Sequence, residues 1–157
     1  DTYVEFTGAG TMRFADFVNG GAARDVLERI IVKKHDYRAS FQCLRNSATD
    51  FSTLNACAAL WDGQWHLAVG ARPKKAKFLE GEDLGLPARF SPEELDAACQ
   101  RARDLNYGTD RRASAAYRAE LAEVLSRRAI LEAAAQQDVA TELRLAAEAA
   151  KPKGVSA

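Results

Sequence analysis

The hydrophobic and polar positions of this chain change their spacing near its middle. In the first half, apolar residues alternate with polar ones over short stretches, which is the two-residue period of β-strands. Thr2–Phe6 and Thr11–Phe14 alternate around Gly8-Ala-Gly10 and predict a β-hairpin, and Val26–Lys33 predicts a further strand. Asp16–Gly21 is predicted to be a short turn-like piece.

A second group of strands is predicted after Asp36. Leu54–Trp61 and Trp65–Arg72 flank Asp62-Gly63-Gln64, whose Asp-Gly pair is favoured in hairpin turns. The pattern of Tyr37–Leu44 is ambiguous between a strand and a short helix. Beyond the hairpin we expect a third strand at Lys74–Phe78 and a loop at Gly81–Arg89.

The C-terminal half has the three-to-four-residue spacing of helices. Ser91-Pro-Glu-Glu94 combines a capping serine, proline at the first helical position and glutamate at the third, so a helix is predicted to begin there. Asn106-Tyr-Gly108 is predicted to end it. Its inward stripe is predicted to be Leu95, Ala98, Cys99, Ala102 and Leu105.

A second helix is predicted to be capped by Thr109 or Asp110 and to continue through the alanine-rich segment 129–150. Glu123 and Arg127 are one turn apart and are expected to pair on its surface. Its inner face is predicted to carry Tyr117, Leu121, Val124 and Leu125. Strands and helices are segregated along the chain, so the predicted fold class is α+β: an antiparallel β-sheet of three or more strands followed by a packed helical C-terminal half.

Composition narrows the function classes. The 157 residues contain 22 Lys and Arg against 22 Asp and Glu, and a formal net charge of zero argues against a nucleic-acid binder. No apolar run is long enough to span a bilayer and the first residues do not resemble a signal peptide, so we expect a cytoplasmic protein without membrane contact. The chain begins at Asp1 without an initiator methionine, and we expect it to be a fragment.

Cysteine and histidine give no metal or catalytic pattern. Cys43, Cys57 and Cys99 have no metal-ligand spacing and are expected to be buried free thiols. Neither His35 nor His66 has a second ligand at helical or hairpin spacing, so we predict no metal site. No nucleophile lies near a base in an informative pattern, and we therefore predict no catalytic residues and do not favour a small independent enzyme.

The densest group of hydrogen-bonding side chains lies between Arg45 and Asn55. Arg45, Ser47, Thr49, Asp50 and Asn55 supply a guanidinium, two hydroxyls, a carboxylate and an amide directly before or within a strand-like segment. This density suits either the edge of a cofactor or a tightly hydrogen-bonded turn, since such residues are also ordinary turn formers.

Two further groups have alternative interpretations. Trp61 and Trp65 bracket the hairpin tip and either stack on a planar ligand or, the reading we favour, cover the sheet. Arg111, Arg112 and Arg118 form a basic cluster, which is either a docking surface for an acidic partner or, more commonly, a solvated helix face.

Four segments, taken in order, resemble the FAD-binding subunit of molybdenum hydroxylases, the xanthine dehydrogenase and carbon monoxide dehydrogenase group. The resemblance runs from about Thr11 to Leu131, and Arg45–Phe51 with Asn55–Leu60 resembles the start of that subunit's C-terminal domain. The other segments are Ala15-Asp16-Phe17 with Gly20-Gly21, Leu67–Gly70 with Pro73 and Ala76, and Tyr107–Arg118 continuing to Leu121, Leu125, Arg128 and Ala129.

The resemblance implies a domain layout and a cofactor. Residues 1–36 would be the end of an FAD-binding lobe, 37–150 the flavoprotein C-terminal domain and 151–157 a tail. The resemblance implies FAD in the complete subunit, with molybdopterin and 2Fe-2S clusters in partner subunits only. The residues implied at the edge of the flavin site are Arg45, Ser47, Asp50, Phe51, Asn55 and Trp61.

Glycine-rich loops that cradle the FAD pyrophosphate are not found in this sequence. The resemblance therefore implies an electron-transfer fragment of a molybdopterin-dependent oxidoreductase that helps to enclose FAD and docks the iron–sulfur and molybdopterin-binding subunits. Alone, the fragment is expected to be inactive and to bind FAD weakly or not at all. The alternative is a stand-alone α+β interaction or scaffold domain without a cofactor.

Overall fold

The computed structural model describes residues 2–20 and 25–149, with side chains described as far as residue 136. The chain divides into two compact units, residues 1–36 and 37–157. Helices and strands occur in the segregated order expected of an α+β fold, and that predicted class is confirmed. The predicted tail at 151–157 lies outside the described residues.

The first unit is a three-stranded antiparallel sheet with one short helix. The sheet consists of β1 (Thr2–Phe6), β2 (Gly10–Arg13) and β3 (Leu27–Val32), in the order β2-β1-β3. The predicted hairpin is confirmed, and Gly10 closes it with a φ of 71°. The predicted turn-like piece is instead α1 (Phe14–Gly20), whose Phe17 ring packs 5.3 Å from the Phe6 ring; Gly21 lies outside the described residues.

The second unit is built on a four-stranded antiparallel meander, in the order β4-β5-β6-β7. Tyr37–Leu44, the ambiguous segment, forms a strand from Arg38 onward, where each residue through Leu44 pairs with β5. The predicted third strand is shifted toward the C-terminus. The strands are β4 (Arg38–Leu44), β5 (Leu54–Trp61), β6 (Gln64–Gly70) and β7 (Lys77–Glu80).

The turn between β5 and β6 is the predicted Asp-Gly hairpin. Asp62 has a φ of 50° and Gly63 a φ of 72°, so two consecutive residues are left-handed. This is the two-residue geometry that matches the twist of the flanking strands. Gln64, predicted as part of the turn, is already paired with Trp61 in the ladder.

Helices cover one face of this sheet. The predicted capping box is confirmed, because the Ser91 hydroxyl accepts from the Glu94 N–H and the Glu94 carboxylate accepts from the Ser91 N–H. The predicted loop after β7 begins instead with a single helical turn whose Leu84 is buried. The helices are α2 (Gly81–Leu84), α3 (Pro92–Arg103) and α4 (Ala115–Ala149).

The predictions for α4 are only partly correct, and of the predicted inner face Leu125 is buried while Leu121 is partly buried against the core. The cap of the helix is Ser114, whose hydroxyl accepts from the Tyr117 N–H, while the Thr109 hydroxyl accepts from the Ala115 N–H. Tyr117 and Val124 are 49% and 43% exposed. The face that packs on the sheet and α3 is rotated from the predicted one, because the prediction for α4 followed its larger apolar side chains and left out the small and polar residues that are buried there. It consists of Arg118, Ala122, Leu125, Ser126, Ala129, Ile130 and Ala133.

Acidic and basic side chains pair between α3 and α4. Glu123 accepts from Arg103 at 2.8 Å, and Arg127 bonds Asp96 at 2.6 Å. The expected Glu123–Arg127 pair is thus replaced by two pairs across the helix interface. Exposed pairs of this kind contribute about 0–1 kcal/mol each, so the apolar stripe provides most of the packing energy.

Candidate functional site

The loop between β4 and β5 carries most of the predicted flavin-edge residues and is a tightly closed turn. At its base the Thr53 N–H donates to the Leu44 carbonyl at 2.7 Å. Within it the Asp50 N–H donates to the Ser47 carbonyl at 3.2 Å. The interpretation of this segment as a hydrogen-bonded turn is therefore correct for its backbone.

The side chains of this loop are partly engaged by the loop itself. The Asp50 carboxylate accepts from the Phe51 N–H at 2.7 Å, which is the local bond expected of aspartate in a turn. Arg45 reaches the Ala48 carbonyl at 3.5 Å. The Phe51 ring is 78% exposed. An aromatic ring so exposed beside a fixed turn is a surface that a planar group can cover.

Asn55 lies at the start of β5, directly opposite Gly70 of β6. A Cβ atom at residue 70 would come within 2.5 Å of the Asn55 Oδ1 atom, so the absence of a side chain at Gly70 lets the amide lie across β6. Within the described residues, the Asn55 amide makes no side-chain hydrogen bond. It offers one donor and one acceptor group near the start of a central strand of the sheet.

Trp61 does not share this surface. It is at the other end of β5, and six residues of extended strand separate it from Asn55 by roughly 20 Å. Its ring lies 5.8 Å from His66. Trp65 has the structural role predicted for it, since it is buried and donates to the Ala88 carbonyl at 3.4 Å.

An open groove of about 370 Å³ begins where Phe51 and Asn55 meet two further loops. One is the loop after β6, and the other is the loop that precedes α4. Three basic side chains and one acidic side chain reach the groove from these loops. The residues that line it are Phe51, Ser52, Asn55, Ala71, Arg72, Pro73, Lys74, Asp110 and Arg112.

Arg112 connects the groove to the predicted loop. Its guanidinium lies 5.5 Å from the centre of the Phe51 ring and 3.5 Å from the Asp50 carboxylate. Phe51 and Asn55 line the groove together with Arg112, whereas Asp50 only contacts Arg112. Arg45 and Ser47 lie on the same turn but do not line the groove.

Arg72 forms the buried part of the opposite wall. It is 8% exposed, donates to the Lys75 carbonyl at 3.2 Å and also donates to the Asn106 carbonyl. Its guanidinium lies 5.7 Å from the centre of the Tyr107 ring. The Arg72 Nε atom has no hydrogen-bond partner among the described residues.

The loop around Arg72 approaches the chain before α4 closely. The Gly108 N–H donates to the Arg72 carbonyl at 3.1 Å. A Cβ atom at residue 108 would lie 3.0 Å from the Pro73 Cβ atom, so glycine permits this approach. Ala71 has a φ of 57°, a left-handed conformation that is uncommon for alanine and is held here by the surrounding contacts.

Arg118 joins the other wall of the groove to α4 and is fully buried. Its Nε–H donates to the Thr53 carbonyl at 3.0 Å, and Nη1 donates to the carbonyls of Gly108 and Ala113 at 2.8 and 2.7 Å. Nη2 bonds the Asp110 carboxylate at 2.6 Å. One side chain thus fixes the loop before β5 and the loop before α4 relative to each other.

The Asp110 carboxylate is held ionised by these contacts. It accepts from Arg118 and from the backbone N–H groups of Arg112 and Ala113, at 2.7 and 3.2 Å for the latter two. The charge-assisted bond from Arg118, followed by the backbone bonds, lowers the pKa of Asp110 to about 2. Asp110 therefore carries a negative charge that Arg118 balances.

The predicted basic cluster is divided by the structure. Arg118 is buried in an ion pair and is not on a solvated helix face, because α4 packs this side onto the sheet. Arg111 and Arg112 precede the helix, and Arg112 lines the groove. Sequence reasoning missed the roles of Arg72, Lys74 and Asp110, since the only local signal was an Arg-Pro-Lys run directly after a strand.

The face of the meander that points away from the helices is partly apolar. Phe41, Cys57, Ala68 and Phe78 form one row across all four strands. Phe41 and Phe78 are more than half exposed, and the Phe78 ring stacks 5.6 Å from His66. Exposed aromatic residues aligned across a sheet are typical of surfaces that contact another part of an assembly.

The cysteine prediction is partly confirmed. All three cysteines are free. Cys99 is buried, and burial raises the pKa of its thiol to about 11. Cys57 is half-buried with a raised pKa for the same reason, whereas Cys43 is exposed and corrects the expectation that all are buried. Exposure follows from the alternation of β4, which turns Cys43 to the outer face.

Two further searches were negative over the described parts of the chain. No cluster of three or more histidine, cysteine or carboxylate side chains there is arranged to bind a metal ion. None of the helices there combines the length and apolar character needed to cross a bilayer.

The solved structures that resemble this chain include three oxidoreductases. Quinoline 2-oxidoreductase from Pseudomonas putida 86 matches 86% of this chain and 52% of its own, with a TM-score of 0.69 and 21% identity. Carbon monoxide dehydrogenase from Hydrogenophaga pseudoflava, lacking the Mo-pyranopterin moiety of the molybdenum cofactor, matches 86% of this chain and 53% of its own. The TM-score is 0.68 and the sequence identity is 17%. A cyanide-inactivated Cu,Mo-CO dehydrogenase matches 85% of this chain and 53% of its own, with a TM-score of 0.58 and 20% identity.

At these identities the likeness establishes the fold, and the chain spans about half the length of each matched chain. A comparison with curated protein sequences gave no match. The sequence pattern of the CO dehydrogenase flavoprotein C-terminal domain matches residues 39–133, which is more than half of the chain. This match confirms the resemblance predicted from the sequence, and the chain belongs to the family of CO dehydrogenase flavoprotein C-terminal domains.

Proposed function

We propose that this chain is part of the FAD-binding electron-transfer subunit of a molybdopterin-dependent oxidoreductase. Residues 37–150 form its C-terminal domain, residues 1–36 are the end of an FAD-binding lobe, and 151–157 are a tail. The observation that carries the proposal is the family match over residues 39–133. It is supported by the fold shared with two CO dehydrogenases whose descriptions name molybdenum or its cofactor, and by the position of the polar residues between β4 and β5.

The residues between β4 and β5 fit the edge of a flavin. The isoalloxazine rim presents both acceptors and a donor, and the Asn55 amide offers both functions without a competing side-chain bond among the described residues. The exposed Phe51 ring supplies apolar cover beside it. We assign the flavin edge to Arg45, Ser47, Asp50, Phe51 and Asn55. Trp61 is left out because it is roughly 20 Å away along β5.

FAD, when bound in the complete subunit, supplies the electron-carrying chemistry between a donor cluster and an acceptor. The contribution of this chain is to position the edge of the flavin and to shield it. The closed turn at Ser47–Asp50 fixes the loop, so the polar groups are presented without a large loss of conformational entropy on binding. The lack of glycine-rich pyrophosphate loops in this sequence makes the contribution a partial one.

Partner docking is assigned to the outer face of the meander. Phe41 and Phe78 expose aromatic surface there, and burying such rings against a second protein is favourable by roughly 25 cal/mol per Å². The partners we propose are the iron–sulfur subunit and the molybdopterin-binding subunit of the same complex. We expect the isolated chain to have no oxidoreductase activity and to bind free FAD weakly or not at all.

The first test is the reading frame that encodes the chain. Glycine-rich FAD loops upstream of residue 1 would support a flavoprotein subunit, whereas a start codon directly before Asp1 would contradict it. A tight stoichiometric complex of FAD with residues 1–157 alone would show that the main flavin site has been placed wrongly.

The second test compares the two ends of β5 in the complete subunit. Asn55→Ala is expected to lower the FAD content per protein after desalting by about tenfold, the effect of losing one or two hydrogen bonds. Trp61→Ala is the matched control at the far end of the same strand and is expected to keep its FAD. Loss of FAD from the Trp61 variant alone would place the flavin at the opposite end of the sheet.

A further inference from the structure

The groove beside Asn55 contains a buried positive charge without a negative partner. Arg118 and Arg72 are both more than nine-tenths buried. Arg118 bonds the Asp110 carboxylate, whereas the hydrogen bonds of Arg72 go to the carbonyls of Lys75 and Asn106. Removing a charge from water without a counterion costs free energy that carbonyl dipoles offset only in part.

Tyr107 does not supply the missing charge. Its ring lies 5.7 Å from the Arg72 guanidinium, and its hydroxyl donates to the Ala102 carbonyl. Burial raises the pKa of Tyr107 to about 12, with Arg72 opposing the shift, so the phenol is neutral at physiological pH. The buried Arg72 Nε atom also lacks a hydrogen-bond partner among the described residues, so the guanidinium of this groove-lining residue is not fully satisfied by the fold.

The same groove collects further donors. Lys74 and Arg112 line it together with Arg72, and they come from two different loops. Lys74 forms no ion pair within the described part of the chain. The Ser52 hydroxyl and the Asn55 amide line it as well. Cationic and neutral donors that converge from separate segments are the arrangement that oxyanions require.

The acidic groups nearby are already balanced. Asp110 lines the groove, but its carboxylate is bound by Arg118 and two backbone N–H groups. Asp50 lies 3.5 Å from Arg112 and offsets part of that residue's charge. Arg72 and Lys74 therefore leave the groove with an excess of positive charge, although the whole chain is neutral.

We propose that this groove binds an oxyanion of the phosphate class, either inorganic phosphate or the phosphate of an ester, with Arg72, Lys74 and Arg112 as its cationic donors. An anion there neutralises the charge of the buried Arg72, which has no carboxylate partner among the described residues. The site goes beyond the flavin edge proposed above, which needs hydrogen bonds to a neutral rim. Phe51 and Asn55 belong to both surfaces, so the two ligands would be neighbours.

The test uses the full 157-residue chain and inorganic phosphate, with no flavin present. At constant ionic strength, phosphate is expected to raise the melting temperature in a saturable way, and chloride is expected not to. Lys74→Glu is expected to weaken the apparent phosphate affinity by about tenfold, because an attractive charge becomes repulsive. Lys77→Glu, the same charge change on β7 outside the groove, is the matched control.

Arg72→Met is expected to abolish the phosphate effect. If that variant fails to fold, the comparison of the Lys74 and Lys77 variants still tests the phosphate site, because both lysines are exposed and their substitution is not expected to disrupt the fold. Equal stabilisation by phosphate and chloride would overturn the proposal, as would an equal loss of affinity in the two lysine variants. Neither result would bear on the flavin edge, which is tested by FAD content.

The source of the phosphate group is distinguished by competition. Adenosine 5′-monophosphate binding more tightly than inorganic phosphate, and sensitive to Lys74→Glu, would identify a phosphate ester. Binding of inorganic phosphate with no response to the nucleotide would identify the free anion. Acetate at the same ionic strength should have little effect, because it offers fewer acceptor oxygens to the three cations.

Discussion

Two buried arginines, Arg72 in the lining of the groove and Arg118 on α4, differ in how their charge is balanced. Arg118 has a carboxylate partner and donates to three backbone carbonyls. Arg72 has carbonyl partners and a Nε–H without an acceptor among the described residues. The first arrangement is complete within the fold and serves stability. The second is incomplete, and such a site is suited to an added anion.

The largest effect is expected from Arg118→Met. It leaves Asp110 without its cation and removes the bonds that connect α4 to two loops, so the free energy of unfolding should fall by about 3–5 kcal/mol. Urea denaturation measures the change. Arg128→Met, an exposed change on the same helix, should cost less than about 0.5 kcal/mol. Similar losses in both variants would show that Arg118 does not act as the connection described.

A smaller effect is expected from pH through Asp110. Its folded pKa of about 2 is below the ordinary value of 3.8, so its contribution to stability is present above pH 3.8 and is lost as pH falls toward 2. The difference in unfolding free energy between the native protein and Asp110→Asn should be constant above that range and shrink in acid. Denaturation at a series of pH values measures it, and a constant difference down to pH 2 would contradict the Arg118 pairing.

The smallest effect is expected from Arg72→Met in a buffer without phosphate. The variant loses two bonds to carbonyls but also removes an unbalanced buried charge, so the two changes partly cancel and about 1 kcal/mol is lost. Adding phosphate should widen the gap to the native protein, because only the native groove gains a ligand. A loss as large as that of Arg118→Met, unchanged by phosphate, would remove the distinction between the two arginines.

Local sequence signals determined the elements with short-range causes. The Asp62–Gly63 turn and the Ser91 capping box were predicted because their residues act on their own backbone. The helix α1 was missed because seven residues are too few to show the helical repeat of apolar positions, so the segment could not be distinguished from a turn. The inner face of α4 was predicted only in part, because small alanines contribute little hydrophobicity to the pattern and an arginine is not expected to be buried.

The candidate site divides in the same way. Asp50, Phe51 and Asn55 were predicted as flavin-edge residues because they are close together in the sequence and belong to the segment that resembles the family, and two of them, Phe51 and Asn55, line the groove. Arg72 and Lys74 come about twenty residues later in the sequence, and the pairing of β5 with β6 brings them to the groove. Asp110 and Arg112 come nearly sixty residues later, and the bond between Arg118 and Asp110 holds their loop there. The resemblance implied Trp61 at the same flavin edge as Asn55, and the extended strand β5 places the two roughly 20 Å apart.

The sequence by itself determined the α+β class, the strand and helix order and the family, because alternation, caps and motif order are properties of neighbouring residues. Tertiary structure decided which charges are balanced. Arg72 and Arg118 are the same residue type in the sequence, yet Arg118 bonds a carboxylate and Arg72 bonds carbonyls. The electrostatic state of a buried group depends on partners that are distant in the chain, and folding alone brings those partners within bonding distance.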